Sequence, residues 1–377
     1  MREEAVSTTP PLEPGPSESA SALPPRRPVV PSVRRESFYF TGLGGEYFRI
    51  WIVNLLLSVV TLGIYSAWAK VRRMDYFYRN TRVAGSTFVY HGSPLAILKG
   101  RLIAGAVFGV YYVAGYLDPR LGAVALLLIF AALPWMLVRA LRFRAHNTSY
   151  RGIRFGFHGS ARGAYWVWLL LPFLNIFTLS TLTPFVHQRT KRYQHGNSSY
   201  GRTPFTFDAP VSGFYKAYLT VIGCVIGLIV LTGVAFWLII DIQKVSGSDG
   251  VTSSVLSLLA VAVLVLAYAV GAAGSWALMT SRITNLVWNH TRVGSCRFHC
   301  TLEANRLFLL MFTNALGMIF TLGLFKPFAQ IRLATYMVGE FSLLSEGSLD
   351  DFIAGERQNV GAFGEEAAEF FDLDIAV

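Results

Sequence analysis

Only 15% of this 377-residue chain is charged while 53% is hydrophobic, with a mean hydropathy of +0.45. Soluble domains carry about a quarter charged residues, so this composition cannot clothe the two or three soluble domains that the length would otherwise make. The formal charge of +11 is uneven: residues 1–37 sum to zero, 340–377 hold ten acids and only Arg357, and the basic middle contains just seven acids.

The expected solvent for most of the middle is therefore lipid. Its Lys and Arg flank apolar runs, which suits the cytoplasmic leaflet. Anionic membrane lipid is thus the expected partner, and nucleic acid is not.

Residues 1–37 are rich in Pro, Ser and Glu and are expected to be a disordered leader. The first apolar run, 47–66, closes on Thr61-Leu62-Gly63-Ile64-Tyr65-Ser66-Ala67-Trp68-Ala69-Lys70-Val71-Arg72, with Asn54 seven residues before the Thr. Asn80, Gly85 and Phe88 follow, and Phe88-Val89-Tyr90-His91-Gly92 reads as a short strand after a turn. Runs 96–117 and 121–140 form an expected helical hairpin around Asp118-Pro119-Arg120. Asn147, Gly152 and Phe155 then repeat the Asn-to-Phe spacing. Run 164–186 carries a weaker copy of the closing motif, with Ser180 in the place of Gly. Asn197, Gly201 and Phe205 give another strand signal, ahead of a second expected hairpin from runs 214–240 and 254–280. Asn289, Gly294 and Phe298 precede the last run, 305–328. That run holds Asn314 and closes on Thr321, Leu322, Gly323, Pro327 and Arg332, in register with the first copy. Phe38-Tyr39-Phe40-Thr41-Gly42 supplies one more strand signal at the start, and residues 341–377 read as an acidic tail.

Each run is near the ~20 residues that cross a bilayer core as helix. The expected fold class is an all-α polytopic membrane protein with short cytoplasmic strand or hairpin segments and three related repeat units. The expected domains are the leader, a multi-pass membrane domain over 38–340, and the tail. The Thr-Leu-Gly-Ile-Tyr-x-x-Trp-Ala-Lys-Val-Arg stretch and the Asn…Gly…Phe stretch resemble those of the YjgN-like family of bacterial inner-membrane proteins, a domain of unknown function. The resemblance spans about residues 38–340 and is most specific at 61–92. It implies a multi-pass location in the bacterial inner membrane and implies no activity.

The basic loops create a conflict. Loops 139–163 and 187–213 are both basic, yet full crossings by runs 1, 4 and 7 place them on opposite faces, against the positive-inside tendency. Two alternatives stand: seven crossings with one basic loop tolerated outside, or re-entrant runs at 47–66, 164–186 and 305–328. In the second, the Phe-rich strands all lie on the cytoplasmic side and pair into a sheet.

Candidate chemistry is sparse. Cys296, His299 and Cys300, with His290, are the one metal-like cluster, and Cys-x3-Cys is far from structural zinc spacing. The expectation is no metal and no cofactor. His91 and His158 sit in matching places, but acids to orient them are scarce, so a turn or interfacial role is expected and an enzyme is not. No Asp or Glu lies mid-run, which disfavours an ion-coupled carrier. Asn54, Thr61, Gly63, Tyr65, Trp68, Arg72, Asn80, Gly85, Phe88, Asn314, Thr321, Gly323, Pro327 and Arg332 are the family-motif positions, with structural or interfacial roles expected. Two functions remain open: a conduit or transporter for small molecules or lipids, and a non-catalytic membrane scaffold with a protein partner on the acidic tail.

Overall fold

The computed structural model describes residues 33–245, 251–347 and 349–358. The expected leader lies outside these residues as far as position 32, as does the acidic segment beyond 358. In chain order come β1 (Val33–Ser37), β2 (Tyr39–Phe40), α1 (Gly44–Val60), α2 (Ser66–Arg79), β3 (Thr81–Val83), β4 (Ser86–Tyr90), α3 (Pro94–Leu117) and α4 (Pro119–His146). Then follow β5 (Thr148–Tyr150), β6 (Ile153–Phe157), α5 (Ala161–Tyr165), a π-helical turn (Trp166–Leu170), α6 (Leu171–Phe177), α7 (Thr183–Gly196), β7 (Ser198–Tyr200) and β8 (Thr203–Phe207). The chain continues through α8 (Val211–Val245), α9 (Val251–Asn289), β9 (Thr291–Val293), β10 (Cys296–Cys300), α10 (Ala304–Phe320), α11 (Lys326–Gly339) and β11 (Phe341–Glu346). A last helix, α12, covers 349–358.

The strands overturn the all-α expectation. All eleven belong to one antiparallel sheet in the order β1-β11-β10-β9-β8-β7-β6-β5-β4-β3-β2. Its two outer strands are one extended segment interrupted at Phe38: β1 pairs with β11, and β2 pairs with β3. The sheet therefore nearly closes into a barrel. Individual strands of two to six residues give only a faint alternating signal, so their number and mutual pairing are what a reading segment by segment loses.

Four two-residue turns join the strand pairs. Ala84-Gly85 and Arg151-Gly152 both have positive φ at each residue (45° and 74°; 50° and 84°), the combination that matches the twist of a tight hairpin. Gly201 and Gly294 supply left-handed residues in the next two turns. β1 pairs with β11, so the first and last strands in chain order lie side by side: Val33 stands opposite Glu346.

Inside the barrel each strand pair contributes one phenylalanine. Ring centroids run Phe38 to Phe88 6.5 Å, Phe88 to Phe155 6.4 Å, Phe155 to Phe205 6.4 Å and Phe205 to Phe298 6.1 Å. Phe341 and Trp288 close the circle between Phe298 and Phe38. Val83, Tyr150, Tyr200, Val293 and Leu343 form a second buried layer. The Tyr150 hydroxyl donates to Val83 O at 2.8 Å, and the Tyr200 hydroxyl donates to Tyr150 O at 3.0 Å. Leu349, Phe352 and Ile353 of α12 pack against the same core. Glu356 anchors α12 by accepting from Arg202 N (3.0 Å) and the Thr203 hydroxyl. Arg151 pairs with Asp350, and Arg357 donates to Arg151 O at 2.7 Å.

Helix ends meet the sheet through a recurring junction. The residue three after each inner Phe donates its backbone N–H to the end of the next helix: Thr41 to Asn80 O, His91 to Asn147 O, His158 to Asn197 O, Asp208 to His290 O and Thr301 to Glu340 O, at 2.8–3.2 Å. Asn80, Asn147 and Asn197 also donate their side-chain amides back to the last helical turn.

Among the described residues four helices are long and apolar enough to cross a membrane: α3, α4, and the stretches Val211–Asp241 of α8 and Ser257–Asn289 of α9. Run 164–186 is not one of them. Pro172 lacks the N–H that would continue the ladder, and the helix widens into the π turn just before it. This run leaves and rejoins one sheet, because β6 before it pairs with β7 after it, Phe155 opposite Tyr200. A single crossing there is incompatible with that pairing, so loops 139–163 and 187–213 lie side by side. The same holds for α1–α2, flanked by paired β2 and β3, and for α10–α11, flanked by paired β10 and β11.

Phe155→Ala removes one member of the ring and leaves a cavity, so it lowers stability by about 3–5 kcal/mol. Phe108→Ala, on the exposed face of α3, leaves the unfolding temperature nearly unchanged. Thermal unfolding of the purified chain in detergent compares the two.

Candidate functional site

Three helical hairpins reverse the chain with one backbone device. In the first, Thr61 ends α1: its hydroxyl donates to Leu57 O at 2.7 Å and accepts from Tyr65 N at 2.9 Å. Gly63 N reaches back to Ser58 O at 2.7 Å, the six-to-one closure of a helix end that requires a left-handed residue. Leu62 (φ 50°) and Gly63 (φ 90°) supply that conformation. In the last hairpin Thr321 repeats both contacts, to Gly317 O at 2.6 Å and from Phe325 N at 2.9 Å, while Gly323 N bonds Met318 O at 2.7 Å. The middle hairpin has Leu179 (φ 50°) and Ser180 (φ 65°), with Ser180 N on Asn175 O at 2.9 Å. Every orphan backbone group that these turns can satisfy internally is one that need not meet water.

The tips are bare and apolar. Leu62 and Leu322 are 95% exposed and Leu179 is 90% exposed, each beside further exposed Ile, Val or Phe. Sequence reasoning singled out the Thr and the Gly and passed over the leucine between them. Its recurrence at three left-handed positions, where a branched side chain is unfavourable, was the available signal.

The other motif residues fall into separate neighbourhoods rather than one pocket. Tyr65 stacks on Trp68 (6.1 Å, 11°), and Arg72 lies over the Tyr65 ring at 5.8 Å. Pro327 is buried in the first turn of α11. Arg332 donates to Asn314 Oδ1 at 2.7 Å, and Asn314 Nδ2 donates to Ala329 O at 3.3 Å. Asn54 occupies the matching place in α1 and is equally buried, yet its Oδ1 has no partner. Asn80, Gly85 and Phe88 belong to the sheet, at a helix junction, a turn and the aromatic ring.

The histidines are structural in position. His91 and His158 contact Ser149 Oγ (2.8 Å) and Ser199 Oγ (3.0 Å) across neighbouring strands. His195 stacks on Phe207 and meets the edge of Trp288. Burial, with nearby Lys191, holds its imidazole down at about 4. Cys296 and Cys300 are buried, and burial pushes the Cys300 thiol up to about 11. Among the described residues no group of three or more His, Cys, Asp or Glu side chains converges as a metal site.

Fold and site define a class: a nearly closed aromatic-cored barrel carrying apolar helices that can span a bilayer and hairpins with bare apolar tips. The family described as bacterial protein of unknown function (DUF898) matches residues 35–370, and the chain belongs to it. Curated relatives are named inner membrane protein YjgN. The protein of Salmonella typhimurium strain LT2 is 39% identical over 144 residues, covering 37% of this chain and 36% of the relative. That of Escherichia coli K12 is 36% identical over 159 residues, covering 41% and 38%. These alignments thus span about two-fifths of the relatives' length or less. No solved structure matches the chain.

Two outcomes follow. Ser180→Gly relieves a left-handed non-glycine residue and raises stability by about 1 kcal/mol, whereas Gly323→Ala (φ 88°) lowers it by a similar amount; paired denaturation curves check the opposite signs. His195 has a folded value below its unfolded one, so its contribution is present above about pH 6.5 and is lost as pH falls toward 4. The unfolding temperature should drop over that window, and His195→Phe should flatten the drop.

Proposed function

We propose that this chain is a multi-pass, non-catalytic protein of the bacterial inner membrane that binds lipid and guides it at the cytoplasmic leaflet. The observation that carries the reading is the trio of bare hairpin tips at Leu62, Leu179 and Leu322. Apolar surface in water costs ~25 cal/mol per Å², a cost that acyl chains remove. In this arrangement α3–α4 and α8–α9 each cross and return. The three short hairpins are re-entrant, because their returning arms are ill-suited to cross: α2 holds Lys70, Arg72, Arg73, Asp75 and Arg79, and α7 is as polar. The successive hairpin units are then internal repeats arranged around the barrel.

With the sheet in the cytoplasm, the basic helix ends stand at headgroup level, where anionic lipid attracts them. The barrel interior contains a cavity of about 300 Å³ walled by the aromatic ring. Such a space suits hydrocarbon and not a hydrated ion. A second reading, a scaffold recruiting a protein through the acidic tail, draws support from α12, which fixes the start of that tail to the barrel.

Single cysteines in a background lacking Cys224 test the arrangement. Arg154→Cys on β6 should label only from the cytoplasm, Arg120→Cys in the first turn of α4 only from the periplasm, and Leu62→Cys from neither aqueous side. Periplasmic labelling of Arg154→Cys would sink the topology. Reconstitution into liposomes with a fluorescent lipid then separates lipid passage, accelerated over empty vesicles, from a scaffold, which leaves the rate unchanged.

A further inference from the structure

The first helical hairpin leaves two buried polar groups unpartnered that the third does not: the Tyr65 hydroxyl, where the third has Phe325, and the Asn54 side-chain oxygen. Arg332 satisfies Asn314, but the equivalent Arg72 is turned onto Tyr65, and Asn54 Oδ1 is left without a partner although Asn54 is only 7% exposed. A buried amide oxygen without a donor keeps its desolvation cost uncompensated. The fold does not require that cost, since the third hairpin avoids it.

Asn54 lines a cleft of about 780 Å³ between the α1–α2 hairpin and the α3–α4 pair. Four cations face the same space: Lys70 and Arg73 from α2, Arg101 from α3 and Arg144 from α4. None of the described residues lining it is acidic, and none of the four has a carboxylate partner among the described ion pairs. Arg101 donates to Ser66 Oγ, which ties α3 to the start of α2 across the cleft. The same lining includes apolar and aromatic side chains, Trp51 and Leu55 of α1 and Phe143 of α4. Four unneutralised cations of separate helices repel one another, so an anion between them stabilises the arrangement. The apolar wall asks for hydrocarbon on the same ligand. The orphaned Asn54 oxygen is closed off where it stands, and rotation of the amide toward the cleft that Asn54 lines brings it within reach of a hydroxyl donor.

We propose that this cleft binds the headgroup of an anionic phospholipid, with the phosphodiester among Lys70, Arg73, Arg101 and Arg144 and a headgroup hydroxyl donating to Asn54 Oδ1. The site rests on the membrane placement proposed above. Cleft volume agrees with the ~300–1,000 Å³ of small-ligand sites, and a phosphodiester meets guanidinium groups with the geometry they favour. The amphiphile's acyl chains would lie along the wall of Leu55 and Phe143.

The test is lipid binding to the full chain in neutral detergent, read by native mass spectrometry. Phosphatidylglycerol, phosphatidylmethanol, phosphatidylcholine and inorganic phosphate are the probes. The expected order is phosphatidylglycerol over phosphatidylmethanol by about tenfold, both well above phosphatidylcholine, with millimolar inorganic phosphate failing to displace either lipid. The double variant Lys70→Gln, Arg73→Gln should weaken both anionic lipids at least tenfold. Asn54→Leu should erase the preference for phosphatidylglycerol while keeping the preference for negative charge. Arg73→Lys should retain most binding and shows that the pocket is folded. Arg282→Gln and Arg306→Gln, on α9 and α10, should change nothing. Equal losses at those control positions, no discrimination from phosphatidylcholine, or displacement by phosphate would each overturn the site. Loss of headgroup discrimination with the labelling pattern unchanged overturns this inference alone, whereas a failed labelling pattern overturns the membrane placement on which it rests.

Discussion

Everything in this molecule answers to the backbone hydrogen bonding of one sheet. Eleven strands of two to six residues would be negligible one at a time, yet each is paired with a neighbour, and the outermost two are the same stretch of chain. A barrel removes exposed strand edges. It also imposes a topological rule on every helix: any excursion from the sheet must return to it, because the strands before and after that excursion are bonded to each other. Five excursions obey the rule, two as long helical pairs and three as short hairpins.

The short hairpins show what that rule demands locally. A helix that must turn back in apolar surroundings cannot leave its last carbonyls to water. Thr61 and Thr321 answer with a hydroxyl that both donates to the outgoing helix and accepts from the returning one. The two left-handed residues after each Thr complete the reversal in the space of one turn. In the first hairpin the arms then differ in character: α1 is apolar, while α2 carries Lys70 and Arg73, which line the cleft.

Much of this was legible in particular residues. The recurrence of Asn, Gly and Phe at fixed spacing marked where each helix meets the sheet, where each turn goes left-handed and which ring points inward. Thr61, Gly63, Thr321 and Gly323 marked the helix reversals, and the clash between two basic loops raised re-entrant hairpins as one of two alternatives. The fold class was misread because strands of three residues cannot be recognised from their own composition. Each has one partner across a tight turn and the other beyond a helical excursion, and the longer β1 and β11 meet only from opposite ends of the sheet, as Glu36 opposite Leu343 illustrates. The cleft cations were invisible for a related reason: Lys70, Arg73, Arg101 and Arg144 come from three helices and share no motif. The difference between Asn54 and Asn314 was equally hidden, since both sit seven residues before the Thr, and what separates them is where an arginine turns: Arg332 meets Asn314 and Thr313, whereas Arg72 lies over Tyr65.

The pairing of β1 with β11 sets an order of events at the ribosome. Residues 33–37 emerge early, but their bonding partner, 341–346, is translated some three hundred residues later. Through nearly the whole of synthesis the nascent sheet is an unclosed arc with two raw margins, growing one strand pair at a time as the intervening helices are delivered to the insertion machinery. In the order of synthesis closure comes last but for α12, which lies immediately downstream and packs on the same core. A nascent chain that ends before residue 341 therefore holds β1 and β10 without the strand that lies between them.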